Sequence, residues 1–292
     1  SGDVDVTTLA VDNTVLNVAF TGNGSSVVNS FTPENDGTFI FGASGGTQTY
    51  NGGLNTASVG STVTLNGSLV TSNDALTLGA ATLASDVTLT SAGGAIATGA
   101  ITGTSTDDLI VTSSGGSTNT ISLGAIGGSG NVHNVSATAG TSIALTGNVT
   151  TSNDALTVGA VTLASDVTLT SAGGAIVTGA ITGTSTDDLT VTSSGGSTNT
   201  ISLGAIGGSG NVHNVTATAG TSITLTGNVT TANASGNTVS LTAPSIDIGN
   251  VTIDTNNTNH DGNISFIVNT LSNSGHTVDA GTATFQIAPN TA

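Results

Sequence analysis

The sequence predicts an all-β fold wound as a parallel β-helix, a β-solenoid of roughly twenty residues per rung with divergent capping ends. Three observations carry this expectation. Positions 71–150 and 151–230 are two copies of one 80-residue unit that align without a gap and differ at six positions. Within each copy the chain breaks into short segments with period-2 alternation, separated by Gly, Ser, Asn and Asp and free of helical periodicity. Hydrophobic residues make up 36% of the 292, but they are mostly Ala, Val, Leu and Ile, with no Met, Trp or Cys. Such side chains fill a narrow interior and not a wide one.

Taken in order, residues 1–50 read as an N-terminal cap and first rungs. They contain Phe20, Phe31, Phe39, Phe41 and Tyr50, and the remaining aromatics, Phe266 and Phe285, lie at the opposite extreme. A terminal rung presents unpaired N–H and C=O groups, so bulky rings there plug or cover an open end. The same seven residues are the candidate contacts for end-to-end association with a second copy.

Residues 51–230 form the repeat region. A diverged partial copy covers 51–70, where TASVGSTVTLNGSLV at 56–70 stands one period before SATAGTSIALTGNVT at 136–150. Inside one period, DVTLT, AIAT, DLIVT, TISLG and SIALTG read as strands. Three strands to a rung give about four rungs per period, each about 4.8 Å from the next. Residues 231–292 leave the pattern, as divergent rungs and a cap do.

The six differences test the alternation. Ile110/Thr190, Ser136/Thr216 and Ala144/Thr224 each lie between two apolar neighbours and are expected to face out, where a hydroxyl costs nothing. Leu78/Val158 and Ala81/Val161 fall on the inward phase, and every exchange there stays aliphatic. Ala97/Val177 is aliphatic too, in an ambiguous phase.

Charge excludes several function classes. There is no Lys or Arg against 17 acidic residues, a formal net charge of −17. No salt bridge is expected within the chain. Nucleic acid is excluded as a partner, since its phosphates need cations, and so is attraction to an anionic membrane. No apolar run reaches the roughly 18 residues of a membrane helix, so no membrane insertion is expected. The start Ser1-Gly2-Asp3 is neither an initiator Met nor a signal peptide, and suggests a processed fragment of an exported precursor, placed outside the cell or on its surface. Without Cys, no disulfide contributes.

The stretches GGTQTYNGGLNTASVGSTVTLNGSLVT and ALTLGAATLASDVTLTSAGGAI resemble the repeats of filamentous-haemagglutinin-like large exoproteins of Gram-negative bacteria. The likeness covers about positions 45–230, and extends to the tail GNISFIVNTLSNSGHTVDAGTATFQIAP. It implies a right-handed parallel β-helix, secretion through a partner pore, and a role in adhesin shafts or matrix fibres. That family's secretion-signal domain is not seen in this sequence.

Candidate chemistry is sparse. Asp86, Asp107, Asp108 and their copies Asp166, Asp187 and Asp188 offer paired carboxylates, yet each precedes a strand, where turn hydrogen bonds explain it. No catalytic residue and no enzyme activity is expected. No cofactor is expected either, the one candidate being Ca²⁺ held by these six carboxylates and turn carbonyls. GGSGNVHNV at 127–135 and 207–215 approaches the calcium-binding nonapeptide, but Val132 and Val212 stand in the aspartate's place. His133, His213, His260 and His276 read as surface or turn residues, and the sequons at Asn23, Asn66 and Asn134 as products of composition.

The leading expectation is a structural protein that partners with itself, end to end, as a fibre or as one segment of an adhesin shaft. The first alternative is a module that binds glycans on a host or neighbouring cell, for which the repeat lacks aromatic platforms. The second is ice binding through Thr-x-Thr rows such as Thr88-Leu89-Thr90 and Thr224-Leu225-Thr226. Ser113, Ala144 and Asn148 are expected to interrupt those rows, so thermal hysteresis is expected to be zero.

Overall fold

The computed structural model describes residues 2–115, 119–128, 130–195, 198–275 and 277–291. Every regular element among them is a β-strand, and every strand pairing is parallel. The chain is a β-solenoid of about 13 turns, with about 22 residues per turn. It divides into two units, Ser1–Ala144 and Leu145–Ala292.

In the first unit each turn lays down three segments, and segments of successive turns stack into three columns. The first column holds Ser68–Thr71, Val87–Ser91, Leu109–Ser113 and Val135–Ala139, preceded by Asp5–Val6, Ser26–Val27 and Thr47–Tyr50. The second holds Leu54–Asn55, Leu76–Leu78, Ile96–Thr98 and Thr120–Leu123. The third runs from Val18–Phe20 through Phe39–Phe41, Val63–Leu65 and Ala81–Leu83 to Ile101–Thr102.

The register explains the tolerance to sequence. Leu89 pairs with Leu69, Val87 with Leu109, and Leu109 with Val135, so the step per turn is 20, 22 and then 26 residues. The strands stay aligned while the corners absorb the surplus. At about 22 residues per turn, the 80-residue period spans slightly fewer than the four rungs expected from a turn of twenty.

The second unit repeats this organisation. Its first column is Val149–Thr151, Val167–Ser171, Leu189–Ser193 and Asn214–Ala219, continued by Thr238–Asp247, Asn263–Ser272 and Phe285–Ala288. The two ten-residue strands pass from one column to the next, and their pairing skips only Pro244, which has no N–H to give a ladder. The coil therefore continues through 231–292.

Alternation decides what is inside. In Val87–Ser91 the residues Val87, Leu89 and Ser91 are buried and Thr88 and Thr90 half-exposed. Leu89, Val111 and Ala137 stack with no exposure. Burying one such Leu or Val is worth about 1.5–3 kcal/mol. Ile110, Ser136 and Ala144 with their counterparts face outward, and Leu78, Ala81, Val158 and Val161 inward, as the exchanges required. Ala97 and Val177 prove outward, Val177 at 40% exposure.

The interior is not wholly aliphatic. Thr71, Ser91 and Ser113 stack in register with no exposure. Where the first column ends, corner carbonyls leave the ladder, and these hydroxyls supply their donors: Thr71 Oγ1 to Asp74 O at 2.8 Å, Ser113 Oγ to Gly94 O at 2.8 Å. Ser91 Oγ accepts from Gly94 N at 2.8 Å. At Gly94 an added Cβ would lie 2.2 Å from Asp74 O, so two turns can approach there only without a side chain. Thr151, Ser171 and Ser193 do the same work in the second unit. In DVTLTSAGGAI, which occurs at 86–96 and again at 166–176, the Ser closes the strand inward and the glycines let the corner stack.

The aromatics take inward positions. Phe31, Phe39, Phe41, Tyr50 and Phe266 are at most 1% exposed. Phe39 and Phe41 stack at 4.2 Å between centroids, Phe31 on Tyr50 at 5.7 Å, and Phe20 meets Phe39 edge-on at 5.1 Å. Of the seven rings named as end plugs or contacts, these five are turned into the core by the strand phase. Phe285 alone is an exposed ring, at 45%.

Candidate functional site

The acidic residues singled out by sequence stand at corners of successive turns. In the first unit Asp108 N donates to Asp86 Oδ1 at 3.0 Å, and Asp108 Oδ1 in turn lies 2.8 Å from His133 Nδ1. Three turns are thereby linked through one edge. In the second unit Asp188 N donates to Asp166 Oδ1 at 3.0 Å, and Asp188 Oδ1 lies 3.0 Å from His213 Nδ1 and accepts from Asn214 Nδ2 at 2.9 Å. His133 and His213 are thus joined to carboxylates at these corners. The expectation of no salt bridge needs correcting here: protonation of either imidazole creates an ion pair without any Lys or Arg.

The adjacent aspartates are split. Asp107 is 7% exposed, and its Oδ2 accepts from Thr104 N and Thr104 Oγ1, both at 2.9 Å. Asp187 is 6% exposed and accepts from Thr184 N at 2.7 Å. These are turn-closing bonds, as the sequence suggested. Among the described residues no group of three or more His, Cys, Asp or Glu is placed to hold a metal ion. Val132 and Val212 are fully buried, so the nonapeptide-like stretches spend their decisive position on the core. His260 Nδ1 lies 3.3 Å from Asn233 Oδ1, and His276 lies outside the described residues.

Elsewhere, hydrogen bonds hold three carboxyls below their usual range. Asp261 accepts from the hydroxyl and amide of Thr282, Asp279 from Gly281 N and Asn256 Nδ2, and Asp12 from Thr14. Burial pushes the Tyr50 phenol up, and its hydroxyl donates to Gln48 Oε1 at 3.3 Å.

Two strands leave inward-phase residues uncovered. Phe285 and Ile287 pair with the buried Ile264 and Phe266, yet are 45% and 53% exposed. Val6 pairs with the buried Val27 and is 37% exposed. Each such strand carries a backbone edge able to take another parallel strand.

These features define a β-solenoid whose side-chain polar contacts close corners and link turn to turn. No family model, no curated protein and no solved structure matches the chain. No helix among the described residues is long and apolar enough to cross a membrane.

Proposed function

We propose that this chain is a structural extracellular protein, a β-solenoid subunit that associates end to end into a fibre or forms one segment of an adhesin shaft. The observation that best supports the reading is the pair of uncovered turns. Phe285 and Ile287 on one strand and Val6 on another hold core positions and stand exposed. A parallel ladder accepts that rung from any chain that supplies matching strands, as β-augmentation does. The likeness to filamentous-haemagglutinin-like exoproteins points the same way.

Negative-stain microscopy and sedimentation of the purified protein, at rising concentration and moderate salt, test this. The expected result is filaments one coil wide that fail to form in a Phe285→Asp/Ile287→Asp variant. Monodisperse monomer at every concentration overturns the end-to-end reading.

A further inference from the structure

In the second unit, the outward residues of the first column form two parallel rows of threonine. Thr150, Thr170, Thr192, Thr218 and Thr242 pair in register on five successive turns. Two residues before each, Thr168, Thr190 and Thr216 pair in the same way, continued by Ser240. The turns 168–170, 190–192 and 216–218 each therefore present a Thr-x-Thr pair, and 240–242 a Ser-x-Thr pair.

Backbone geometry fixes the grid. Turns are spaced about 4.8 Å apart, and residues i and i+2 of a strand about 6.6 Å apart on one face. Each β-branched threonine is stiff at χ1, so methyl and hydroxyl are held in repeated positions. Every residue of both rows is half-exposed or exposed, and none is charged. Among the described residues these eight threonine hydroxyls make no hydrogen bond to the protein, whereas Thr162 and Thr182 in the third column bond each other at 3.1 Å. The rows thus offer a rectangular lattice of unspent hydroxyls among methyls, with spacings near those of water oxygens on faces of ice.

The first unit shows what an interrupted version looks like. There the equivalent rows read Thr88, Ile110 and Ser136, and Val70, Thr90, Thr112 and Thr138. Two of the six differences between the copies, Ile110/Thr190 and Ser136/Thr216, are what completes the array in the second. Of the interruptions expected from sequence, Ser113 is inside the core, whereas Asn148 holds the row position beside Thr150 and accepts from Thr168 N at 2.8 Å, so the paired rows begin at 168. Thr224-Leu225-Thr226 is not part of the grid, since Thr226 Oγ1 donates to Leu203 O at 3.0 Å.

We infer that the threonine face of 150–242 is an ice-binding surface, whose ligand is the ordered water lattice of an ice crystal plane. The inference is independent of self-association, because one chain carries the whole array.

The test is nanolitre osmometry and ice-recrystallisation inhibition on the full chain. Measurable thermal hysteresis with faceted crystals is expected. The T190I/T216S variant restores residues that the first copy already carries in this fold, and should reduce hysteresis severalfold with an unchanged circular dichroism melt. A T170K/T192K variant should abolish it, and Thr182→Val, in the third column, should leave it intact. No hysteresis and no inhibition in the unaltered protein overturns the proposal. So does activity that survives undiminished in T190I/T216S.

Discussion

Asp108 and His133 lie one above the other on successive turns, with Oδ1 of the first 2.8 Å from Nδ1 of the second. The contact ties the corner before Leu109–Ser113 to the corner before Val135–Ala139, where the step of 26 residues is the longest in the first unit. Both side chains are 35% exposed, so solvent weakens the pair. Asp108→Ala and His133→Ala should each cost about 1 kcal/mol in urea unfolding, and the double variant little more than either alone. Additive losses would mean the two side chains act separately.

Core and surface positions on one strand should separate cleanly. Leu89 is fully buried, so Leu89→Ala should lose about 2–5 kcal/mol. Ile110, 41% exposed on the neighbouring strand, should tolerate alanine within about 0.5 kcal/mol. Denaturant midpoints of the two variants decide the matter, and equal losses would contradict the strand phase.

Ser113→Ala removes the donor to Gly94 O inside the first unit. A buried carbonyl left without its partner costs about 1–3 kcal/mol, more than a surface Ser→Ala change. Loss of hydrogen-exchange protection around residues 91–96 would accompany it.

Stability should rise with ionic strength. A chain of −17 with no Lys or Arg repels itself, and salt screens that repulsion. Urea midpoints in low and in about half-molar NaCl test this. At matched ionic strength EGTA should change nothing, because Asp86, Asp107 and Asp108 already accept bonds from protein donors. A melt lowered by EGTA would instead establish bound calcium.

Acid should loosen the Thr282 loop. The Asp261 and Asp279 carboxyls titrate below their usual values in the folded chain, so their stabilisation is complete above about pH 4 and is lost as pH falls through the folded values. Melting curves from about pH 6 to 2 should show a shallower acid limb in D261N than in the unaltered protein. Parallel curves would remove Asp261 from the account.

Much of this architecture was legible in the residues. Period-2 alternation placed Leu109, Val111, Ile143 and Leu145 inside, and the exchanges between copies put Leu78/Val158 on the same phase, where the structure has them. What alternation did not reveal was where it stops. Thr71, Ser91 and Ser113 continue the inward phase as hydroxyls, and polarity alone places such residues outside. Strand counting put the turn at about twenty residues, close to the observed 22, but the uneven steps of 20 and 26 were hidden because they differ only in corners that carry no periodic signal. The Asp108–His133 contact joins residues 25 positions apart. It follows only once the register is known.

Tyr50 is the sole tyrosine in a chain without tryptophan. It is buried in the aromatic stack of the first unit, against Phe31 and Phe41. Intrinsic fluorescence and near-ultraviolet dichroism therefore report chiefly on that stack. A melt followed by tyrosine emission watches the first turns come apart, whereas amide signals follow the whole ladder, so loss of those turns can be told from loss of the rest without a label.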